Sequence, residues 1–158
     1  MKTFVCKSAQ IVLVLLIIST LFYAFYQSSL PMQESAKESE KVGEIIEEII
    51  PPDTKPGEYV QKNLRKLAHF AEFFFLGLWC SLYVVFYYRK PRGFISVIPF
   101  GLISALLDET VQIFSKRGSA VKDIWIDAFG YVTAFFLVML VFFTVILIRH
   151  VRSARHYG

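Results

Sequence analysis

The 158-residue chain is poor in cysteine: Cys6 and Cys80 stand alone, which excludes a disulfide scaffold and a cysteine-rich zinc site. It has no Gly-rich phosphate-cradling motif, and Gly118 after Arg117 reads as a turn. It lacks a small-x-small cleavage site behind its first apolar run, where Ala24 is followed by Phe25, Tyr26 and Gln27, so that run reads as an uncleaved anchor. Charge is scarce over long stretches as well: only 19% of residues are charged, against 55% hydrophobic and 16% aromatic. Soluble domains run near 45–50% apolar even with glycine counted, so the balance argues against a soluble enzyme and for a membrane-embedded chain. The net charge of +4 points to no nucleic-acid partner, because the bases sit at the ends of apolar segments.

Four stretches approach the roughly 20 residues that a hydrocarbon crossing needs. They run from about Ile11 to Tyr26, Leu67 to Tyr88, Phe94 to Phe114 and Ile124 to Ile148. Runs of this length are helices, since only helices and closed barrels satisfy their backbone in lipid. The expected fold is therefore all-α: a polytopic protein with four transmembrane helices and the lipid bilayer as its first partner. No oligomeric state follows from it.

The bases give an orientation. Lys2 and Lys7, then Arg89, Lys90 and Arg92, then Arg149, Arg152 and Arg155 lie in three segments that hold no acid. An even number of spans places these segments on one side, which the positive-inside rule makes the cytoplasm, with both termini inside. The chain then divides into an N-terminal stub and anchor (1–26), an extracytoplasmic loop (27–64), a three-helix region (65–148) and a basic cytoplasmic tail (149–158). The loop is acidic, and its Val42, Ile45, Ile46, Ile49 and Ile50 recur at helical spacing between Glu34 and Ile50, before Pro51 and Pro52. That pattern suits an interfacial amphipathic helix, with a solvated linker as the alternative.

Ionisable groups inside spans are costly, so each is a functional hypothesis. The second span carries His69 and Glu72 on one face, the third Asp108, Glu109 and Gln112, and the fourth Asp123 at its mouth and Asp127 one turn deeper. Given the spans' directions, all fall within roughly 10 Å of the outer interface at about 1.5 Å rise per residue. Arg65, Lys66, Lys116, Arg117 and Lys122 flank the same mouth. Three helices distant in sequence thus present polar groups at one depth, as one outward-facing site.

Two uses of such a cluster remain open. It could be a self-neutralising network that ties helices together, because polar groups act as glue between membrane helices. Alternatively it is a binding or reactive site. His69 beside Glu72, Asp108 or Glu109 could move protons, with Arg65, Lys66 or Arg117 holding a phosphate. Ser115 and Ser119 are hydroxyls that nothing marks as nucleophiles. No spacing along the chain matches a zinc pattern, so no metal and no cofactor is expected. Gly130 and Ala134, four apart, suit close helix packing.

The run Arg65-Lys66-Leu67-Ala68-His69-Phe70-Ala71-Glu72-Phe73 resembles the first motif of VanZ-like proteins. The second is resembled by Asp108-Glu109-Thr110-Val111-Gln112-Ile113-Phe114, with Arg117, Asp123 and Asp127-Ala128-Phe129-Gly130 after it. Two departures stand out: Ser115-Lys116 replaces a frequent Pro-Gly before the arginine, and Asp127 occupies a position that is often Asn. The resemblance implies an integral membrane protein of the bacterial envelope, in a family named for a member linked to low-level resistance to teicoplanin, a lipoglycopeptide that acts outside the cell. Two readings follow. In the first, the site formed by Arg65, Lys66, His69, Glu72, Asp108, Glu109, Gln112, Arg117, Asp123 and Asp127 binds an anionic lipid, a lipid-linked wall precursor or the drug. In the second, the protein is an intramembrane hydrolase or transferase acting on a phosphorylated lipid.

Overall fold

The computed structural model describes residues 2–51, 53–88, 91–115 and 121–156, and its elements are helical throughout. Helix α1 (Lys2–Ser29) is followed by α2 (Met32–Glu47), α3 (Lys55–Tyr83), α4 (Pro91–Phe114) and α5 (Val121–His156). Beyond Tyr83 the chain of α3 widens into a π-helical segment, Val84–Tyr88. Four of these helices are long and apolar enough to cross a membrane, over Lys7–Ser29, Lys55–Tyr87, Arg92–Phe114 and Val121–Ser153.

The start of α3 is set locally. The Thr54 side chain accepts a hydrogen bond from the Gly57 backbone N–H, and Pro56 sits in the first turn, where its missing N–H leaves no intrahelical bond unmade. The helix thus begins at Lys55, well ahead of the apolar run expected from Leu67. The 33-residue helical segment Lys55–Tyr87 would measure about 50 Å, against a hydrocarbon core of about 30 Å, so its first turns extend past the crossing. At the other end of the chain, α5 continues to His156, so most of the basic tail from Arg149 is helical.

The amphipathic segment of the first loop is helical too. Helix α2 ends at Glu47, near the expected boundary, and a hydrogen-bonded turn carries the chain to Pro51. It leans on the projecting part of α3, where Gly43 faces Leu64 and Gln61 donates a hydrogen bond to Glu47. Val42 and Ile45 stay exposed on it, as does Ile49 in the turn that follows.

The most extensive pairing is α3 against α5. Lipid chains are as apolar as leucine, so close packing rather than water exclusion holds such helices together. Glycine makes the approach feasible here. A Cβ on Gly77 would lie 2.5 Å from the Tyr131 carbonyl oxygen, and one on Gly130 would collide with the Phe70 carbonyl. With these contacts goes a core of Phe73, Leu76, Ala105, Tyr131, Phe135 and Val138, to which α1 adds Ala24. The outer faces carry Leu15, Ile18, Phe22, Ile103, Leu106, Leu140 and Phe143 exposed. A continuous apolar exterior of this kind is a lipid-facing surface.

Candidate functional site

The up-and-down course brings the end of α1, the early part of α3, the end of α4 and the start of α5 to one end of the bundle. On α3, Arg65, His69 and Glu72 recur on one face, continued inward by Phe73 and Leu76. On α4, Asp108 and Gln112 are one turn apart, and on α5 Asp123 and Asp127 repeat that spacing. These three faces meet.

His69 stands at the centre. Its Nδ1 lies 3.6 Å from Asp127 Oδ1, 3.9 Å from Asp108 Oδ2 and 4.0 Å from Glu72 Oε2. Asp108 and Asp127 are fully buried and His69 nearly so. Asp108 Oδ2 accepts hydrogen bonds from Ser28 Oγ at 2.7 Å and from Gln112 Nε2 at 3.0 Å. The Gln112 amide oxygen in turn accepts from Arg65 Nη2 at 2.9 Å. This orders the amide: its oxygen faces the guanidinium and its NH₂ faces the carboxylate. Arg65, Gln112, Asp108 and Ser28 therefore form one chain of hydrogen bonds across α3, α4 and α1. By contrast, neither oxygen of Asp127 accepts a hydrogen bond among the described residues.

The remaining expected residues fall around this centre. Glu109 is buried on α4, and the charges of Glu72, Asp108, Glu109 and Asp123 all lie close enough to act on Asp127. Asp123, half-buried, lines a small polar cavity with Lys62, Asn63, Arg65, Lys66 and His69. Lys66 is exposed at its rim. Arg117, with Lys116 and Ser119, lies outside the described residues. A second opening on the other side of His69, of about 410 Å³, is bounded by α1, α2 and α3 and includes Tyr26, Ser39, Leu64 and Glu72.

The profile of the VanZ/LLP1 family matches residues 11–144. The chain belongs to the VanZ/LLP1 family. The matched region begins in α1 and takes in the stretch from Arg65 to Gly130 that carries the motifs. No curated protein and no solved structure matches the chain. In this VanZ/LLP1 protein the first helix also reaches the site, through Ser28. That residue escaped the sequence reading because a lone hydroxyl near the end of an apolar run carries no periodic signal, and only the packing of α1 on α4 gives it a partner. Lys62 and Asn63 were missed for a related reason: they precede the apolar run of α3 and look like interfacial residues in isolation.

Proposed function

We propose that this VanZ/LLP1 protein lies in the cell membrane with both termini in the cytoplasm, and that the His69 site opens at the outer leaflet of a Gram-positive envelope to bind an anionic lipid or lipid-linked wall precursor. Occupancy of that site lowers susceptibility to lipoglycopeptides such as teicoplanin, by shielding the precursor or holding the drug. One observation supports this reading above others: the polar cavity beside His69 borders an apolar groove. The two share Asn63, Lys66 and Ile126, and the groove runs on along Leu67, Phe70, Leu102, Ala128, Phe129 and Val132, with a volume of about 660 Å³. Tyr59 and Trp125 flank it, both exposed, as aromatic residues at a membrane–water boundary are. An amphiphile with an anionic head fits this arrangement. The head meets Lys62, Arg65 and Lys66, whose cationic groups are suited to phosphate, and the chains follow the groove into the hydrocarbon layer.

The test is binding of the purified protein to nanodiscs or vesicles that contain phosphatidylglycerol, compared with phosphatidylcholine alone, and to a lipid-linked precursor added to either. Teicoplanin susceptibility is measured in parallel in a sensitive Gram-positive host expressing the protein at verified abundance. Preference for the anionic lipid or the precursor that falls in Lys66→Glu supports the reading. Equal partitioning into both membranes, with no precursor bound and no change in susceptibility, overturns it.

A second reading has its own observation: an imidazole within 4.0 Å of three carboxylates, beside cationic side chains, has the parts for general acid–base work on a phosphorylated lipid. Comparative lipid profiling of a deletion strain checks it. Unchanged phospholipid and precursor pools would remove the case for an enzyme.

A further inference from the structure

We propose that His69, Asp108 and Asp127 form a binding site for one divalent transition cation, of the zinc or manganese kind, in the buried floor of the cavity. The inference deepens the lipid-binding reading but rests on separate observations. One donor atom from each of the three residues lies within 4.8 Å of the others, each residue comes from a different helix, and all three are buried.

The distances leave room for an ion. The three carboxylates around His69 Nδ1 stand at 3.6, 3.9 and 4.0 Å, each beyond hydrogen-bond length. Donors bound to a common ion at about 2.0–2.2 Å lie about 3.0–3.5 Å from one another, so a triad whose donors stand within 4.8 Å of one another closes on an ion by pairwise approaches of at most about 1.3–1.8 Å. Asp127 supplies the independent observation. It is fully buried, aimed at His69, and neither of its oxygens accepts a hydrogen bond among the described residues. An ionised carboxylate buried that way is costly unless a cation meets it.

The donor types choose the ion. One imidazole nitrogen with carboxylate oxygens suits zinc or manganese, whereas magnesium and calcium take all-oxygen sets. Glu72 stands beside the three as a fourth donor or as a base for ion-bound water. Ser28 and Gln112, which hold Asp108 Oδ2, orient a ligand as the partners of metal-binding carboxylates do. Chain spacing hid the site, because no two of the three ligands share a helix.

The experiment uses the full chain in detergent, free of any affinity tag and stripped with a chelator, without added lipid. Zinc, manganese and magnesium chlorides are titrated separately, and bound metal is counted by mass spectrometry after desalting. We expect about one zinc or manganese per chain, little magnesium, and binding at least about tenfold weaker in His69→Gln and Asp127→Asn. Ser28→Ala weakens binding by about tenfold, and Glu44→Gln on the exposed side of α2 leaves it unchanged. A stripped wild-type protein that is monodisperse yet takes up no zinc or manganese overturns the proposal whatever the variants do. Equal uptake by wild type and a monodisperse Asp127→Asn overturns it too, as does magnesium binding as tight as zinc. Lipid binding is then measured on the stripped protein, so failure of the cation site and failure of the lipid site are read separately.

Discussion

His69 on α3 and Asp127 on α5 face each other across the most extensive helix pairing of the bundle, Nδ1 to Oδ1 at 3.6 Å. Just below them Gly130 lets the Phe70 carbonyl approach the α5 backbone, so a packing contact and the polar site occupy adjacent turns of the same two helices. The geometry of the site is thereby tied to the closeness of α3 and α5. A change that pushes these helices apart also opens the site.

Asp127→Asn is expected to separate function from folding. The substitution keeps the shape and replaces a fully buried carboxyl whose oxygens accept no hydrogen bond among the described residues. In the metal-stripped protein the midpoint of thermal unfolding in detergent should hold or rise, by on the order of 1–3 kcal/mol of stability. The proposed protection against a lipoglycopeptide should fall to the empty-vector level. A drop in membrane abundance that accounts for the lost protection would show that Asp127 is structural instead.

Ser28→Ala removes a 2.7 Å hydrogen bond to a buried carboxylate and with it a polar tie between α1 and α4. A hydrogen bond to a charged group contributes about 1.5–3 kcal/mol, so unfolding should shift by that order. Gln112→Leu should cost as much or more, because it strips partners from both Asp108 and Arg65. Since the two residues share one acceptor, their effects should not add. A double-mutant cycle read by thermal unfolding measures the coupling, and strict additivity would mean that the chain of hydrogen bonds does not form in the membrane.

Gly77→Val and Gly130→Leu should both disrupt the bundle, because each new side chain meets backbone that cannot move aside cheaply. Destabilisation of at least about 3 kcal/mol is expected, seen as loss of monodisperse protein on extraction. Gly43→Ala is the contrast. Its Cβ meets only a Leu64 methyl at 3.6 Å, an ordinary contact, so abundance should stay at the wild-type level.

The proposed orientation predicts which positions a membrane-impermeant maleimide reaches in intact cells. In a chain with Cys6 and Cys80 replaced by serine, Glu48→Cys should be labelled from outside, and Arg149→Cys only after the membrane is permeabilised. Both parent side chains are exposed, so access depends on the side of the membrane rather than on burial. The reverse pattern would place the site in the cytoplasm and end its assignment to the outer leaflet.

Much of this protein is legible along the chain. Span number and helix type follow from the length of the apolar runs, because lipid leaves the backbone no alternative. The amphipathic helix of the first loop follows from isoleucine spacing. The polar residues stand out for the opposite reason: carboxylates in apolar runs are expensive enough to be conspicuous wherever they occur, and Asp108 and Asp127 are. Their meeting at one level could be read from depth alone.

What depth cannot convey is which side chain faces which. The order Arg65, Gln112, Asp108, Ser28, the central place of His69 and the lack of hydrogen bonds to Asp127 among the described residues depend on the rotation of each helix about its axis. That rotation is set by the close approach at Gly77 and Gly130 and by the core that fills in around it, which are contacts between residues far apart in sequence. The inclusion of α1 has the same origin, since its helix is apolar nearly all round and only its packing on α4 brings Ser28 to Asp108. Composition and spacing thus determined the membrane, the helices and the end of the bundle where the site lies. Tertiary packing alone decided the donor geometry within it, because distances of 3 to 4 Å between separate helices are controlled by how closely those helices fit.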